Sequence, residues 1–123
     1  MLYPKAYRRF LALFAAGKYY EGHDVLEEHW RADRQDFYKG LIQFAVGLYH
    51  ESRGNAKGAA RVLERAEGYL RPYGPAHMGL DVEAAVERIA AARRAVRDRT
   101  PVPPMLLTSV DPNLTPLTEE VRE

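Results

Sequence analysis

The stretch RQDFYKGLIQFAVGLYHES, residues 34–52, decides the fold. Apolar residues recur in it at every third or fourth position along two neighbouring stripes, which together cover most of a helical circumference. A helix with so little polar surface is typical of the centre of a bundle. We expect its two glycines to admit a close neighbour, so the remaining strip predicts a polar seam inside the bundle. That strip consists of Lys39, Gly40, Gln43, Gly47 and His50.

Four further segments with helical apolar spacing surround the central one, at residues 3–16, 19–31, 55–70 and 81–96. Gly17 and Gly54 suit the left-handed turns that end helices, and Asn55 and Asp81 suit helix N-caps. No segment alternates apolar and polar residues over a useful strand length. The pattern therefore predicts an all-α protein, an antiparallel bundle of about five helices.

The helices before residue 71 form two consecutive pairs, residues 3–31 and 34–70, which also fits tetratricopeptide-like stacking, although no sequence repeat supports that description. From Thr100 onward five prolines interrupt the chain, so we expect an extended arm with at most a short helical turn after Thr115. The predicted organisation is a helical domain at residues 1–99 and a proline-rich arm at residues 100–123. The arm packs either on its own domain or on a partner.

Composition narrows the classes of function. The 123 residues include no cysteine, which excludes disulfides, thiolate metal sites and cysteine nucleophiles. The net charge is only +1 and the charges are mixed along the chain, so neither nucleic acid nor a membrane surface is an expected partner. No apolar run reaches the roughly 18 residues that cross a bilayer. We expect a cytoplasmic protein, and the 14 arginines against four lysines favour a thermophilic source.

The segment GHDVLEEHWR, residues 22–31, carries the candidate site. On a helical wheel His23, Glu27 and Trp30 share one side, whereas Asp24, Glu28 and His29 point elsewhere. His23 and Glu27 are one turn apart and could share a divalent metal, with His50 as the third ligand. Such a metal could activate water for hydrolysis, with Glu27 or Glu28 as the catalytic base. The chain contains neither Glu-x-x-His nor His-Glu-x-x-His, the spacings of well-known helical metal sites.

A structural interpretation explains the same residues without a ligand. A hydrogen bond from His23 to Glu27 or to Gln43 would fix the register of two helices, because buried polar groups need partners. Trp30 would then cover the cluster and supply apolar area. The cluster of this interpretation is His23, Glu27, Trp30, Gln43 and His50, and binding of a small ligand by the same residues stays open.

Several segments together resemble a bacterial family known as domain of unknown function 309. The resemblance runs over roughly residues 14–70 and includes GKYYEGHDVLEEHWR at residues 17–31, GLIQFAV at residues 40–46 and His50. Its signature is a histidine followed by paired glutamates and a tryptophan, here His23, Glu27, Glu28 and Trp30; Asp24 stands where the pattern has glutamate. The resemblance implies an all-helical fold and no established activity.

Two functions therefore remain. The first is a protein-interaction or structural module with a buried polar cluster around His23, whose partner is itself or another protein. The apolar segment of the arm at residues 103–107 motivates it, because such surface is costly to leave in water. The second is a metal-dependent hydrolase-like or small-ligand-binding protein that uses His23, Glu27 and His50; no cofactor other than a divalent metal is suggested. We expect His29 and His77 at the surface, and a solvated basic end on the last helix at Arg93, Arg94, Arg97 and Arg99.

Overall fold

The computed structural model describes residues 3–114, which form five α-helices with a small hairpin before the last. The helices are α1 Lys5–Ala15, α2 Tyr19–Ala32, α3 Asp36–Ser52, α4 Ala56–Leu70 and α5 Val82–Asp98. A 3-10 turn at Arg71–Tyr73 and the strands β1 Ala76–His77 and β2 Leu80–Asp81 connect α4 to α5. The predicted all-α fold is confirmed. The helical turn expected after Thr115 lies outside the described residues.

The predicted boundary residues act as expected. Gly17 and Gly54 have φ values of 76° and 78°, which side chains with a β-carbon rarely adopt. The Asn55 Oδ1 atom accepts the Gly58 N–H at 3.0 Å, and Asp81 Oδ1 accepts the Ala84 N–H at 2.9 Å. Each cap satisfies a backbone donor that has no partner inside its own helix, so α4 and α5 begin where the sequence predicts.

Helix α3 lies at the centre of the bundle, as predicted. It packs against α2 and α4, and two rings of α1 reach it as well: Tyr7 lies 5.9 Å from Phe37, and Phe14 lies 5.1 Å from Phe44. Within residues 3–114 every buried side chain is apolar or aromatic. The largest fully buried side chains are Tyr7, Phe10, Phe14, Leu26, Phe37, Tyr38, Leu41, Ile42, Phe44, Leu63, Leu70 and Leu80.

The glycines of α3 face α4, and they do not open onto a polar seam. A β-carbon at Gly47 would stand 2.6 Å from the Leu63 side chain, and one at Gly40 would stand 2.6 Å from Leu70. Both leucines are fully buried. The expectation of a polar seam inside the bundle is therefore wrong, because leucine side chains fill the space that the glycines leave.

The arm folds back on its own domain as far as residue 114. Backbone N–H groups of Asp81 and Val110 donate to the carbonyls of Thr108 and Gly79, both at 2.8 Å, so the arm pairs with the hairpin. Met105 and Leu114 join the core. Strands of two residues carry no alternating pattern, which is why the sequence did not predict them. The division into residues 1–99 and 100–123 stays a prediction.

Within the described part of the chain, no helix has both the length and the apolar character needed to span a membrane. The compartment and the thermophilic source stay predictions.

Candidate functional site

The outer surfaces of α2 and α3 meet in a groove that carries most of the residues singled out from the sequence. Its lining residues recur three or four positions apart on each helix and so share one face. Two contacts fix the alignment: the Tyr20 and Tyr49 rings lie 5.2 Å apart, and Lys39 Nζ lies 4.5 Å from the centre of the Trp30 ring. All the lining side chains are partly or largely exposed. We call this surface the α2–α3 groove, formed by Tyr20, His23, Glu27, Trp30, Lys39, Gln43, Val46, Tyr49 and His50.

One end of the groove, which we call the histidine end, forms a small pocket. Its volume is about 230 Å³, and it is lined by Tyr20, His23, Val46, Tyr49 and His50. The Tyr20 ring also lies 5.1 Å from the His23 ring, and it is 56% exposed. Two phenol rings and two imidazoles thus surround a space that reaches the surface. His23 and His50, predicted to act together, line the same pocket.

Hydrogen bonds at the histidine end determine what each imidazole offers. His23 Nδ1 lies 2.8 Å from the Tyr20 carbonyl oxygen, which can only accept, so Nδ1 carries the proton and Nε2 of the neutral ring is an acceptor. Asn55 Oδ1 accepts from Gly58, so the Asn55 amide nitrogen donates to His50 Nδ1 at 3.4 Å. Nε2 of neutral His50 is then a donor. The pair presents one acceptor and one donor.

The other end of the groove, which we call the tryptophan end, consists of Trp30, Arg34 and Lys39. The Arg34 guanidinium carbon lies 4.7 Å from the centre of the Trp30 ring, and the Lys39 ammonium lies 4.5 Å from it. Cations at these distances are attracted by the electron-rich face of an indole ring. Trp30 Nε1 is buried and, within residues 3–114, has no hydrogen-bond partner. The tryptophan end is therefore cationic and partly exposed.

Glu27 lies between the two ends and does not join the histidines. Its Oε1 atom accepts from Arg31 Nη2 at 3.4 Å. Within residues 3–114 no three His, Asp or Glu side chains approach closely enough to hold a metal ion. The three predicted metal ligands are therefore not assembled as a set. Glu28 is exposed, and its catalytic role stays a prediction.

The interpretation as a buried clasp is also corrected. No polar side chain is buried within the described residues, and His23 bonds to a carbonyl of its own helix. No hydrogen bond joins His23 to Glu27 or to Gln43 among residues 3–114, so the cluster does not fix a register through those bonds. The physical reason is that the outward face of α2 borders solvent, where water satisfies polar groups at little cost.

Two other histidines differ from expectation. His29 is half-buried, with its ring 5.1 Å from that of Tyr38, and its Nε2 atom has no partner within residues 3–114. His77 lies between Phe37 and Tyr73, with ring centroids 4.6 and 4.7 Å away, and its Nε2 atom is 3.2 Å from Gln35 Oε1. Burial lowers the pKa of His77. The expectation of surface histidines is wrong, because Tyr38 of α3 packs on His29, and Phe37 and Tyr73 pack on His77.

The basic end of α5 pairs with α4. Arg93 Nη1 donates to Glu67 Oε1 at 2.8 Å, and Arg71 also contacts Glu67. Burial alone would raise the pKa of Glu67, but the hydrogen bonds from the two arginines outweigh it and the pKa lies below its usual value. Arg97 pairs with Asp98. Arg93 thus links two helices rather than serving as a purely solvated cation.

Sequence reasoning missed Tyr20 and Tyr49, which supply the rings of the histidine end. The signal was available for Tyr20, since it precedes His23 by three positions and shares its face. Tyr49 belongs to one of the apolar stripes of residues 34–52, and only the approach of α2 brings it against Tyr20.

The α2–α3 groove lies in the part of the chain that is similar to known proteins. The sequence profile of the family described as "Domain of unknown function (DUF309)" matches residues 7–62, which include all of α2 and α3. A curated relative, the uncharacterized protein YpuF of Bacillus subtilis (strain 168), is 45% identical over 67 residues. That alignment covers 50% of this chain and 38% of YpuF. No solved structure matches. The resemblance to domain of unknown function 309 is therefore confirmed over residues 7–62.

Proposed function

We propose that this chain is a protein-interaction module whose contact surface is the α2–α3 groove. The observation that carries the proposal is the partial exposure of a mixed aromatic and polar surface at one helix junction. Exposed tyrosine and tryptophan with nearby hydrogen-bonding groups are typical of binding surfaces, because such rings bury much area at low entropic cost. Tyr20 is 56% exposed beside a pocket, an arrangement that a purely structural cluster does not need.

The pocket at the histidine end supplies specificity in this proposal. Its acceptor and donor, from His23 and His50, match a group that offers both functions, such as a peptide amide. A pocket of about 230 Å³ holds one side chain or a short stretch of backbone, and it is smaller than sites for drug-sized ligands. A peptide segment laid along the groove therefore fits better than a free metabolite.

A randomised peptide library displayed on phage tests the proposal. Selection on the immobilised protein should enrich sequences whose binding is lost in Tyr20→Ala. The matched control is Arg61→Ala, since Arg61 is exposed on α4, outside the groove. Failure to enrich any sequence, or enriched peptides that bind Tyr20→Ala as well as the wild type, would contradict the proposal.

The arm offers a second contact surface. Leu106 and Val110 are 57% and 56% exposed, whereas Met105 packs into the core. A second copy of this chain would be the partner of such an apolar surface. The double substitution Leu106→Asp with Val110→Asp should then shift the sedimentation coefficient toward the monomer at high concentration. An unchanged profile would exclude the arm as a self-association surface.

The metal-dependent or small-ligand alternative requires a rearrangement. Glu27 would have to leave Arg31 and turn toward His23 and His50 to complete three ligands. Elemental analysis of protein purified without chelator is the test, repeated on His50→Ala. Stoichiometric metal that disappears in the variant would establish the alternative, and sub-stoichiometric metal in both proteins would remove it.

A further inference from the structure

The tryptophan end holds two cations that have no carboxylate partner within residues 3–114. Arg34 and Lys39 contact the Trp30 ring, and no ion pair joins either of them to an acidic residue of the described chain. Asp33, the nearest acidic neighbour of Arg34 in sequence, instead accepts from the Gln35 side chain at 2.9 Å. The Trp30 ring therefore contacts two cationic groups on a partly exposed surface.

We propose that the tryptophan end binds a side-chain carboxylate of an acidic peptide segment from a partner protein. This inference rests on the proposed function, because it names the chemistry that the α2–α3 groove recognises. An arginine fork and a lysine ammonium both form charge-assisted hydrogen bonds with a carboxylate. Their contact with Trp30 restricts both side chains before binding, so less conformational entropy is lost when the carboxylate arrives.

The charges along the groove decide where the carboxylate lies. Glu27 lies one turn before Trp30, between the two ends, and it repels a second carboxylate near the middle or the histidine end. The histidine end presents only phenol rings, a valine and the two imidazoles. A neutral amide group suits that end, and a negative charge suits only the tryptophan end.

The length of the groove sets the spacing of the segment. His23 and Trp30 are seven residues apart on α2, which is about 10 Å along a helix axis. An extended peptide covers that length in three residues at about 3.3 Å each. The segment should therefore carry a neutral polar residue and, three positions away, an acidic one.

A nucleic acid or another polyphosphate fits this surface less well. Asp33 and Asp36, the acidic residues that flank Arg34 in the sequence, are exposed. Repulsion by these two carboxylates is greater for a chain of closely spaced phosphates than for a single carboxylate, which carries less negative charge. The arrangement thus favours an isolated negative charge on a peptide.

Trp30 is the single tryptophan of the chain, so its indole N–H signal in a ¹H–¹⁵N correlation spectrum reports on this site alone. The probes are two blocked tetrapeptides, acetyl-Asn-Gly-Gly-Glu-amide and acetyl-Asn-Gly-Gly-Gln-amide, at equal ionic strength. We expect the glutamate peptide to shift the signal and to bind about fivefold or more tightly than the glutamine peptide. Equal affinity of the two peptides would overturn the carboxylate site.

Four variants separate the carboxylate site from the groove itself. Lys39→Ala and Arg34→Ala should remove the preference for glutamate, and the exposed controls Lys57→Ala and Arg61→Ala should retain it. His50→Ala should weaken the binding of both peptides by the same factor, because His50 lies at the histidine end. His50→Ala could weaken the binding of both peptides while neither Lys39→Ala nor Arg34→Ala changes the ratio of their affinities. That result would support the groove as a peptide-binding surface and overturn the carboxylate site. Tighter binding of inorganic polyphosphate than of the glutamate peptide would also overturn it.

Discussion

The face of α3 that meets α4 and the face that borders the α2–α3 groove belong to the same helix but differ in contents and exposure. On the α4 side, Gly40 and Gly47 leave room that the buried side chains of Leu70 and Leu63 fill. On the groove side, residues one turn apart are partly exposed and carry polar atoms, among them Lys39, Gln43 and His50. The comparison indicates that the α4 side of α3 supplies stability through buried packing, whereas the groove side stays accessible to solvent.

The largest effect should follow from a substitution on the α4 side. Leu63→Ala should lower the free energy of unfolding by about 2–5 kcal/mol, because it removes a fully buried side chain above Gly47 and leaves a cavity. Val46→Ala on the groove side should cost about 1 kcal/mol or less, since Val46 is partly exposed. Urea denaturation of both variants measures the difference. Equal losses would show that the two faces contribute alike.

A methyl group added at Gly47 sharpens the same comparison. Gly47→Ala should destabilise the fold by about 1–3 kcal/mol through overpacking against Leu63, reduced by the gain in helix propensity of about 1 kcal/mol. Gly68→Ala is the control, because nothing lies within 4 Å of its added methyl group. That control should stabilise the protein. The contrast fails if both substitutions change the melting temperature in the same direction.

On the groove side, His23→Ala should lower the free energy of unfolding by less than about 1 kcal/mol. The reason is that His23 is partly exposed and bonds only to the Tyr20 carbonyl of its own helix. A buried clasp would instead cost about 1–3 kcal/mol when one partner is removed. Urea denaturation distinguishes the two, and a loss well above 1 kcal/mol would restore the clasp.

The smallest expected effect is a pH dependence at His77, which packs on Phe37 at the start of α3. Burial lowers the pKa of His77 from its ordinary value of 6.5, so the unfolded chain binds a proton more readily than the folded one. The contribution of neutral His77 to the stability of the folded protein is complete above pH 6.5, and it decreases as the pH falls below that value. The melting temperature of wild type should therefore fall more than that of His77→Gln between pH 7 and about pH 5.5. If the melting temperatures of the two proteins fell by the same amount over this pH range, the prediction would be contradicted.

Most of the fold could be predicted because it depends on local patterns. The apolar period of 3.6 residues locates the helices, and Asn55 and Asp81 cap α4 and α5 through atoms only three residues away. The hairpin was missed because its two strands, Ala76–His77 and Leu80–Asp81, are too short to carry an alternating pattern. Its further backbone bonds join it to residues 108–110 of the arm, far along the chain. No short-range pattern encodes such a contact.

The candidate site was predicted only in part. The helical wheel predicted that His23, Glu27 and Trp30 share one side of α2, and in the structure all three line the α2–α3 groove. It could not show whether that side faces the core, because apolar and polar residues alternate there. His29 illustrates the same limit: it was assigned to the surface, yet the approach of Tyr38 half-buries it.

The sequence by itself determined that the chain forms five helices, that residues 34–52 lie at the centre, and that a conspicuous polar set occupies α2. The physical reason is that helix formation, capping and amphipathic burial are decided within a few residues. Only the tertiary structure decided that Gly40 and Gly47 meet leucines of α4, that Glu27 turns to Arg31, and that Arg34 and Lys39 lie over Trp30. Those outcomes depend on which helix faces approach each other, and that is set by the packing of the whole core.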